Sequence, residues 1–297
     1  MGEFILSCCS TADLSLEYLQ QRNIVFACFH YELDGKQYQD DFGKTISLKD
    51  FYHAMKTGAM TKTSQVNVQE YIDLFEKFLA EGKDILHLTL SSGISGTYNS
   101  ASIAAERLRP KYPERTLAIV DSLGASSGFG LLVDRLADLR DSGMSIQEAQ
   151  NWAEENRLHV QHWFASSELT YYVRGGRISK TAGFVGSVLN ICPLLTVCPD
   201  GSLTVAGKIR SKKKALKELV NRMKENTLEG PEYQQSCFIS HSDSIEDAET
   251  VAQYIEEEFP LLKGKIKIFD IGTTIGSHTG PGTTALFFWG KPRIFPK

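Results

Sequence analysis

No stretch of the chain approaches the ~20 consecutive apolar residues that a membrane-spanning helix needs, so no span is expected. Neither G-x-x-x-x-G-K-[ST] nor G-x-G-x-x-G occurs, which argues against a nucleotide site of those kinds. The six cysteines, Cys8, Cys9, Cys28, Cys192, Cys198 and Cys237, show no C-x-x-C spacing and no histidine cluster. Free buried thiols in a reducing cytoplasm are therefore expected, ahead of a metal site or a disulfide framework. The N-terminus lacks the basic region of a secretory leader, and the expected location is cytoplasmic. Met1-Gly2 is not followed by the Ser or Thr at position 6 that myristoylation prefers, because Leu6 stands there. A net charge of −4 and a pI near 6.0 lack the footprint of a nucleic-acid-binding protein.

What is present reads as an ordinary globular protein. The 297 residues are 42% hydrophobic and 23% charged, enough for one large or two medium domains. In the first half, apolar runs at Phe4–Cys8, Ile24–Tyr31, Ile85–Leu90 and Leu117–Val120 predict strands. Helical spacing follows several of them, as at Val68–Leu79, Tyr98–Leu108 and Gly124–Asp141, where Phe129, Leu132, Leu136 and Leu139 share one face. Alternation of this kind predicts an α/β fold with a mainly parallel sheet and flanking helices, whose ligands bind beyond the C-terminal ends of the strands. From about residue 160 the pattern becomes a mixed α+β sheet, with strands at Val160–Ser166, Leu194–Cys198, Leu203–Ile209, Cys237–Ser240, Ile266–Phe269 and Ala285–Trp289 and a helix at Ile245–Phe259. The turn signal Pro199-Asp200-Gly201-Ser202 makes two of these an antiparallel pair. The expected domains are 1–158 and 159–297.

Three polar loops stand out. Residues 275–282, Ile-Gly-Ser-His-Thr-Gly-Pro-Gly, read as a tight loop that puts His278 between Gly276 and Gly280, within reach of a ligand. Residues 88–98 place a Ser/Gly turn between a buried strand and a helix, where free N–H groups and hydroxyls suit a carboxylate or phosphate. Helix capping by Ser95 or Thr97 would explain part of that composition. Met60 to Gln65 forms the third loop, ahead of the Val68–Leu79 helix.

Taken together, Thr63-Ser64-Gln65, Ser91-Ser92-x-x-Ser95-Gly96-Thr97, Arg174-Gly175-Gly176-Arg177 and His278-x-Gly280-Pro281-Gly282 resemble the DegV family in order and spacing. The resemblance runs from Ser10-Thr11-Ala12-Asp13 to Phe287-Phe288. Cys9 and Val66 replace an aspartate and a proline usual in that family. The resemblance implies a fatty-acid-binding protein, in some members the lipid-presenting subunit of a fatty acid kinase, with no catalysis of its own. It assigns the ligand carboxylate to Thr63, Ser95 and His278, with Ser64, Ser92, Gly96 and Gly280 supporting the loops. The implied ligand is a long-chain fatty acid without a further cofactor or metal, the implied partner is the kinase, and a monomer is expected.

Such a ligand needs two environments. Its carboxylate must receive several hydrogen bonds if it is to be buried. Its chain needs an apolar wall, for which Phe184 to Val197 is the candidate. From Arg174 to Lys217 there are nine basic residues and one acid, Asp200, a net of +8. Within it Arg174, Arg177, Lys208 and Arg210 are candidate contacts to a partner or phosphate. The rival expectation is a serine hydrolase with Ser95 as nucleophile, His278 as base and Asp243 or Asp270 as third member. Thr97, where a nucleophile elbow has glycine, argues against it.

Overall fold

The computed structural model describes residues 4–179 and 191–296. In the first half lie β1 (Phe4–Cys9), β2 (Ile24–Ala27), β3 (His30–Leu33), β4 (Lys36–Gln39), β5 (Thr61–Ser64), β6 (Asp84–Thr89) and β7 (Leu117–Asp121). In the second are β8 (Val160–Ala165), β9 (Ile191–Val197), β10 (Leu203–Arg210), β11 (Cys237–His241), β12 (Lys267–Asp270) and β13 (Thr284–Trp289).

The predicted parallel sheet is present, in the order β2-β1-β6-β7 with every pair parallel. The second sheet is mixed, in the order β10-β9-β8-β13-β11-β12, with only β11 and β12 parallel. The α/β fold class read from the sequence is thus the fold observed. The Pro199–Ser202 signal makes the β9–β10 hairpin, where Gly201 takes φ +78° and Cys198 N–H bonds Ser202 O at 2.8 Å.

A third, three-stranded antiparallel sheet, β4-β3-β5, has no counterpart in the sequence reading. The apolar run at Ile24–Tyr31 is two strands in two sheets, because the chain leaves the parallel sheet after Ala27. Ser10 Oγ accepts the Phe29 N–H at 3.1 Å, and Phe29 O accepts the Asp40 N–H at 2.8 Å, which anchors the exit. The Met60–Gln65 segment is likewise not a loop: Thr61–Ser64 pairs along its length with β3. Its side chains are polar, so period-2 hydrophobicity could not reveal it.

The helix Ser126–Asp141 is buried on more than the single face that four spaced apolar residues suggest. Leu131 and Val133 are as buried as Phe129, Leu132 and Leu136, while Leu139 is only half-buried. The reason is its position, since it packs against β1 on one side and β8, β11 and β13 on the other. Ser127 Oγ bonds Asp13 O at 2.9 Å and accepts from Ser240 Oγ at 2.5 Å, tying the two large sheets through this helix. The six thiols are free, and burial raises the pKa of each. No helix among the described residues is long and apolar enough to cross a membrane.

Candidate functional site

Beyond the C-terminal ends of β2, β6 and β7 lies a cavity of about 340 Å³, closed on the other side by the mixed sheet. Phe29, Leu90, Ile94, Ala125 and Ser126 reach it from the parallel-sheet side. Phe164 and His162 of β8 face it together with Ala285 and Phe287 of β13, which are their register partners. Thr283, Ala285 and Phe287 follow one another at alternate positions, so the cavity extends about 14 Å along the strands. Val197 and Leu203 add apolar wall from the β9–β10 hairpin. Of the predicted wall Phe184–Val197, residues 184–190 lie outside the described residues, and Leu194 and Leu195 are core.

At one end the wall turns polar. Thr63, Ser64, Gln65, Ser95, Arg177 and His278 all line it. Thr63 is brought there by β5, which is held in the small sheet by β3. Ser95 stands on the turn before the helix Thr97–Leu108; its Oγ accepts the Thr97 N–H at 3.2 Å and keeps its own hydrogen free. Beneath that turn, Cys9 Sγ lies 3.3 Å from Tyr71 OH, which bonds Thr97 Oγ1 at 2.7 Å. Cys9 therefore braces the Ser/Gly turn from inside. The turn also meets the β9–β10 hairpin: Ser91 Oγ donates to Gly201 O at 2.9 Å, and a Cβ on Gly93 would lie 2.5 Å from the Gly201 backbone.

His278 is not in a loop. It occupies the last turn of a short helix, Thr273–Thr279, that ends at Gly280 with φ +70°. Its Nε2 lies 2.8 Å from Thr63 Oγ1. A Cβ on Gly175 would sit 2.1 Å from Nδ1, and one on Gly280 would sit 2.1 Å from the Tyr171 ring, so both positions require glycine. Burial, and secondarily the Arg177 charge, pulls the imidazole pKa down to about 4. It is neutral at physiological pH.

The remaining predicted residues divide. Ser64 lines the cavity. Ser92 does not; its N–H bonds Asp121 Oδ1 at 3.1 Å and its place is structural. A Cβ on Gly96 would come within 2.8 Å of Gln65 Oε1, and Gln65 Nε2 in turn bonds Ser100 Oγ at 2.9 Å. Arg177 is turned inward, donating to Ile94 O at 3.1 Å and Gly175 O at 2.6 Å, while Arg174 is exposed over Tyr171. Lys208 and Arg210 are exposed on the edge strand β10. The basic strip is therefore not one surface, because Arg177 belongs to the cavity.

Five polar lining residues were not singled out from the sequence: Ser126, His162, Thr274, Thr279 and Thr283. Thr274 and Thr279 share a helix with His278, a signal hidden by reading the segment as a loop.

The hydrolase constellation is not assembled. His278 faces Thr63 rather than Ser95, and its Nδ1 has no carboxylate partner among the described residues. Asp243 pairs with Lys56, and Asp270 lies 3.6 Å from His241 Nε2. No cluster of three or more His, Cys, Asp or Glu suited to a metal occurs among the described residues.

An α/β fold with an apolar cavity ending in hydroxyls and a neutral imidazole has counterparts among known proteins. Residues 9–291 match the family model described as "Uncharacterised protein, DegV family", and the chain belongs to that family. A DegV domain-containing protein of Clostridium perfringens is 40% identical over 293 residues, 99% of each chain. Among solved structures, the fatty acid binding DegV family protein of Thermus thermophilus superposes with a TM-score of 0.85 at 26% identity, over 97% of this chain and 99% of that one. A fatty acid binding DegV family protein of Streptococcus agalactiae gives a TM-score of 0.84 at 27% identity, over 98% and 100%.

Proposed function

We propose that the protein binds a long-chain fatty acid in this cavity, with the carboxylate at the Thr63, Ser95 and His278 end and the chain along the mixed sheet. One observation carries the reading: a single cavity has an apolar body and a polar end where hydroxyls and an uncharged imidazole meet, with the Arg177 guanidinium beside them. Each buried methylene would contribute about 0.8 kcal/mol, so a chain lying against Phe164, Ile275 and Phe287 supplies most of the affinity. The relatives described as fatty acid binding support the same ligand class.

The polar end has a definite donor logic. His278 Nδ1 has no hydrogen-bond partner among the described residues, so the ring's one hydrogen bond is at Nε2, and the proton is assigned there. Nε2–H then donates to Thr63 Oγ1, which frees the Thr63 hydrogen for the ligand. His278 acts by orienting and polarising Thr63. Ser95, which already accepts from Thr97 N–H, donates in the same way. Arg177 lies near enough to lower the His278 pKa and gives two of its five N–H donors to Ile94 O and Gly175 O. A carboxylate held by neutral donors keeps its nucleophilicity.

That property suits presentation to a kinase in the cytoplasm, where a carboxylate oxygen would attack the γ-phosphoryl group of ATP and ADP would leave. The kinase partnership rests on the family resemblance. Denaturing extraction of the purified protein, followed by mass spectrometry, is expected to release about one equivalent of free fatty acid per chain. A protein purified gently and found empty would count against the reading.

A further inference from the structure

The cavity wall holds a buried hydroxyl with no partner among the described residues. Thr274 is 2% exposed and lines the cavity, and its Oγ1 has no hydrogen-bond partner among the described residues. Buried polar atoms are rarely left so, because the lost hydration is not regained. Ser277 Oγ, farther along the same helix, bonds Thr273 O at 2.8 Å. Thr274 is the second residue of the helix and has no helical carbonyl four residues before it. Its place in the helix explains what it faces instead. Thr274, Ile275, His278 and Thr279 all line the cavity, a spacing of i, i+1, i+4 and i+5 that forms one stripe of the helix, with Ile271 just before its start. Thr274 therefore stands one turn before His278 on the same face, about 6 Å away along the axis.

We infer that Thr274 Oγ1 is a further donor to the bound ligand and takes the carboxylate oxygen turned away from Ser95. This rests on the fatty acid reading of the cavity. A carboxylate offers two oxygens and about four lone-pair positions, more than Thr63 and Ser95 fill. The helix is fixed where this requires it: Gly272 N–H bonds Asp13 Oδ1 at 2.9 Å, and Thr273 N–H bonds Asp40 Oδ1 at 3.1 Å. Both contacts are immediately N-terminal to Thr274, so its hydroxyl has little freedom to seek another partner.

The test compares Thr274→Val, Thr274→Ser and Thr63→Val in delipidated protein, measuring affinity for a long-chain fatty acid and the thermal midpoint without ligand. Thr274→Val is expected to weaken binding about tenfold, with Thr274→Ser within about threefold of the parent. A hydroxyl waiting for a ligand stabilises nothing in its absence, so the ligand-free midpoint of Thr274→Val should equal or exceed the parent's. Normal affinity in Thr274→Val beside a clear loss in Thr63→Val overturns the inference and leaves the fatty acid reading intact. Normal affinity in both overturns both. A lowered ligand-free midpoint in Thr274→Val, restored by serine, makes the hydroxyl structural and also overturns it. If the valine variant does not fold, Thr274→Ala carries the same affinity prediction.

Discussion

His278 is held neutral by burial, and this makes the fold sensitive to acid. With the pKa lowered from 6.5 to about 4, the folded state resists a proton that the unfolded chain accepts. Between those values the unfolded state binds more protons, so the contribution of His278 is fully present above pH 6.5 and is lost as pH falls towards 4. His87 and His162, also held neutral by burial, act in the same direction, so the comparison must isolate one residue. The difference in unfolding free energy between parent and His278→Gln, followed by urea titration from pH 7 to pH 4, should change across that window. A flat difference would mean that the imidazole is not buried as described. Fatty acid affinity supplies a second residue-level expectation. Ser95→Ala removes one hydrogen bond to a charged group and should weaken binding roughly 10- to 100-fold while leaving the unfolding midpoint nearly unchanged. That Thr63, Ser95 and His278 line one cavity was foreshadowed because each sits in a motif of recognisable spacing. Thr274 was not, since nothing local separates an orphan threonine from a bonded one.

At the scale of elements, the helix Thr273–Thr279 is the part that sequence hides best. Thr273, Thr274 and Ile275 are β-branched, Gly276 follows, and such residues disfavour a helix. Tertiary contacts override that preference. Asp40 Oδ1 accepts from both the N–H and the hydroxyl of Thr273, its Oδ2 accepts from Ser10 Oγ at 3.0 Å, and Tyr52 OH bonds Ile271 O at 2.6 Å. Gly276 is required because a Cβ there would lie 2.4 Å from Tyr52 OH. Asp13, at the same helix end, has its pKa raised by burial and by the Asp40 charge, against the lowering effect of the Ser126 hydroxyl. Asp40→Ala strands three buried donors that do not touch the cavity. It should cost at least ~2 kcal/mol of stability and weaken fatty acid binding as well, by loosening the helix. Denaturant unfolding and ligand titration of the same variant check this; lost stability with unaltered affinity would show that the helix keeps its place without Asp40. By contrast, the helix Val68–Ala80 was legible almost to the residue, because it carries its own capping box at Asn67 and Glu70.

For the molecule as a whole, the alternation of runs predicts two sheet layouts but not their union. The Ser126–Asp141 helix that joins them reads as amphipathic in sequence, and only the packing reveals that it is covered from both sides. The same limit applies to the basic segment, whose charges look continuous along the chain and separate in space. Arg177→Glu would place a carboxylate beside the proposed ligand head and is expected to abolish lipid binding. Lys208→Glu and Arg210→Glu, on the exposed edge strand β10, should keep their lipid. If that edge meets the kinase, these two variants should slow acyl-phosphate formation, with the parent's own rate falling as salt is raised. Unimpaired turnover by both would remove β10 from the docking surface.

The central claim is that a fatty acid carboxylate, ionised and held by neutral hydroxyls, sits where Thr63, Ser95 and His278 converge. Carbon NMR of a long-chain fatty acid labelled at its carboxyl carbon reads that position directly. The account predicts one bound resonance that stays in the ionised range below the pH at which the free acid protonates, because donated hydrogen bonds favour the charged form. That resonance should shift in Thr63→Val and Ser95→Ala. A bound resonance that titrates like the free acid and is indifferent to both substitutions would place the head group elsewhere and contradict the account.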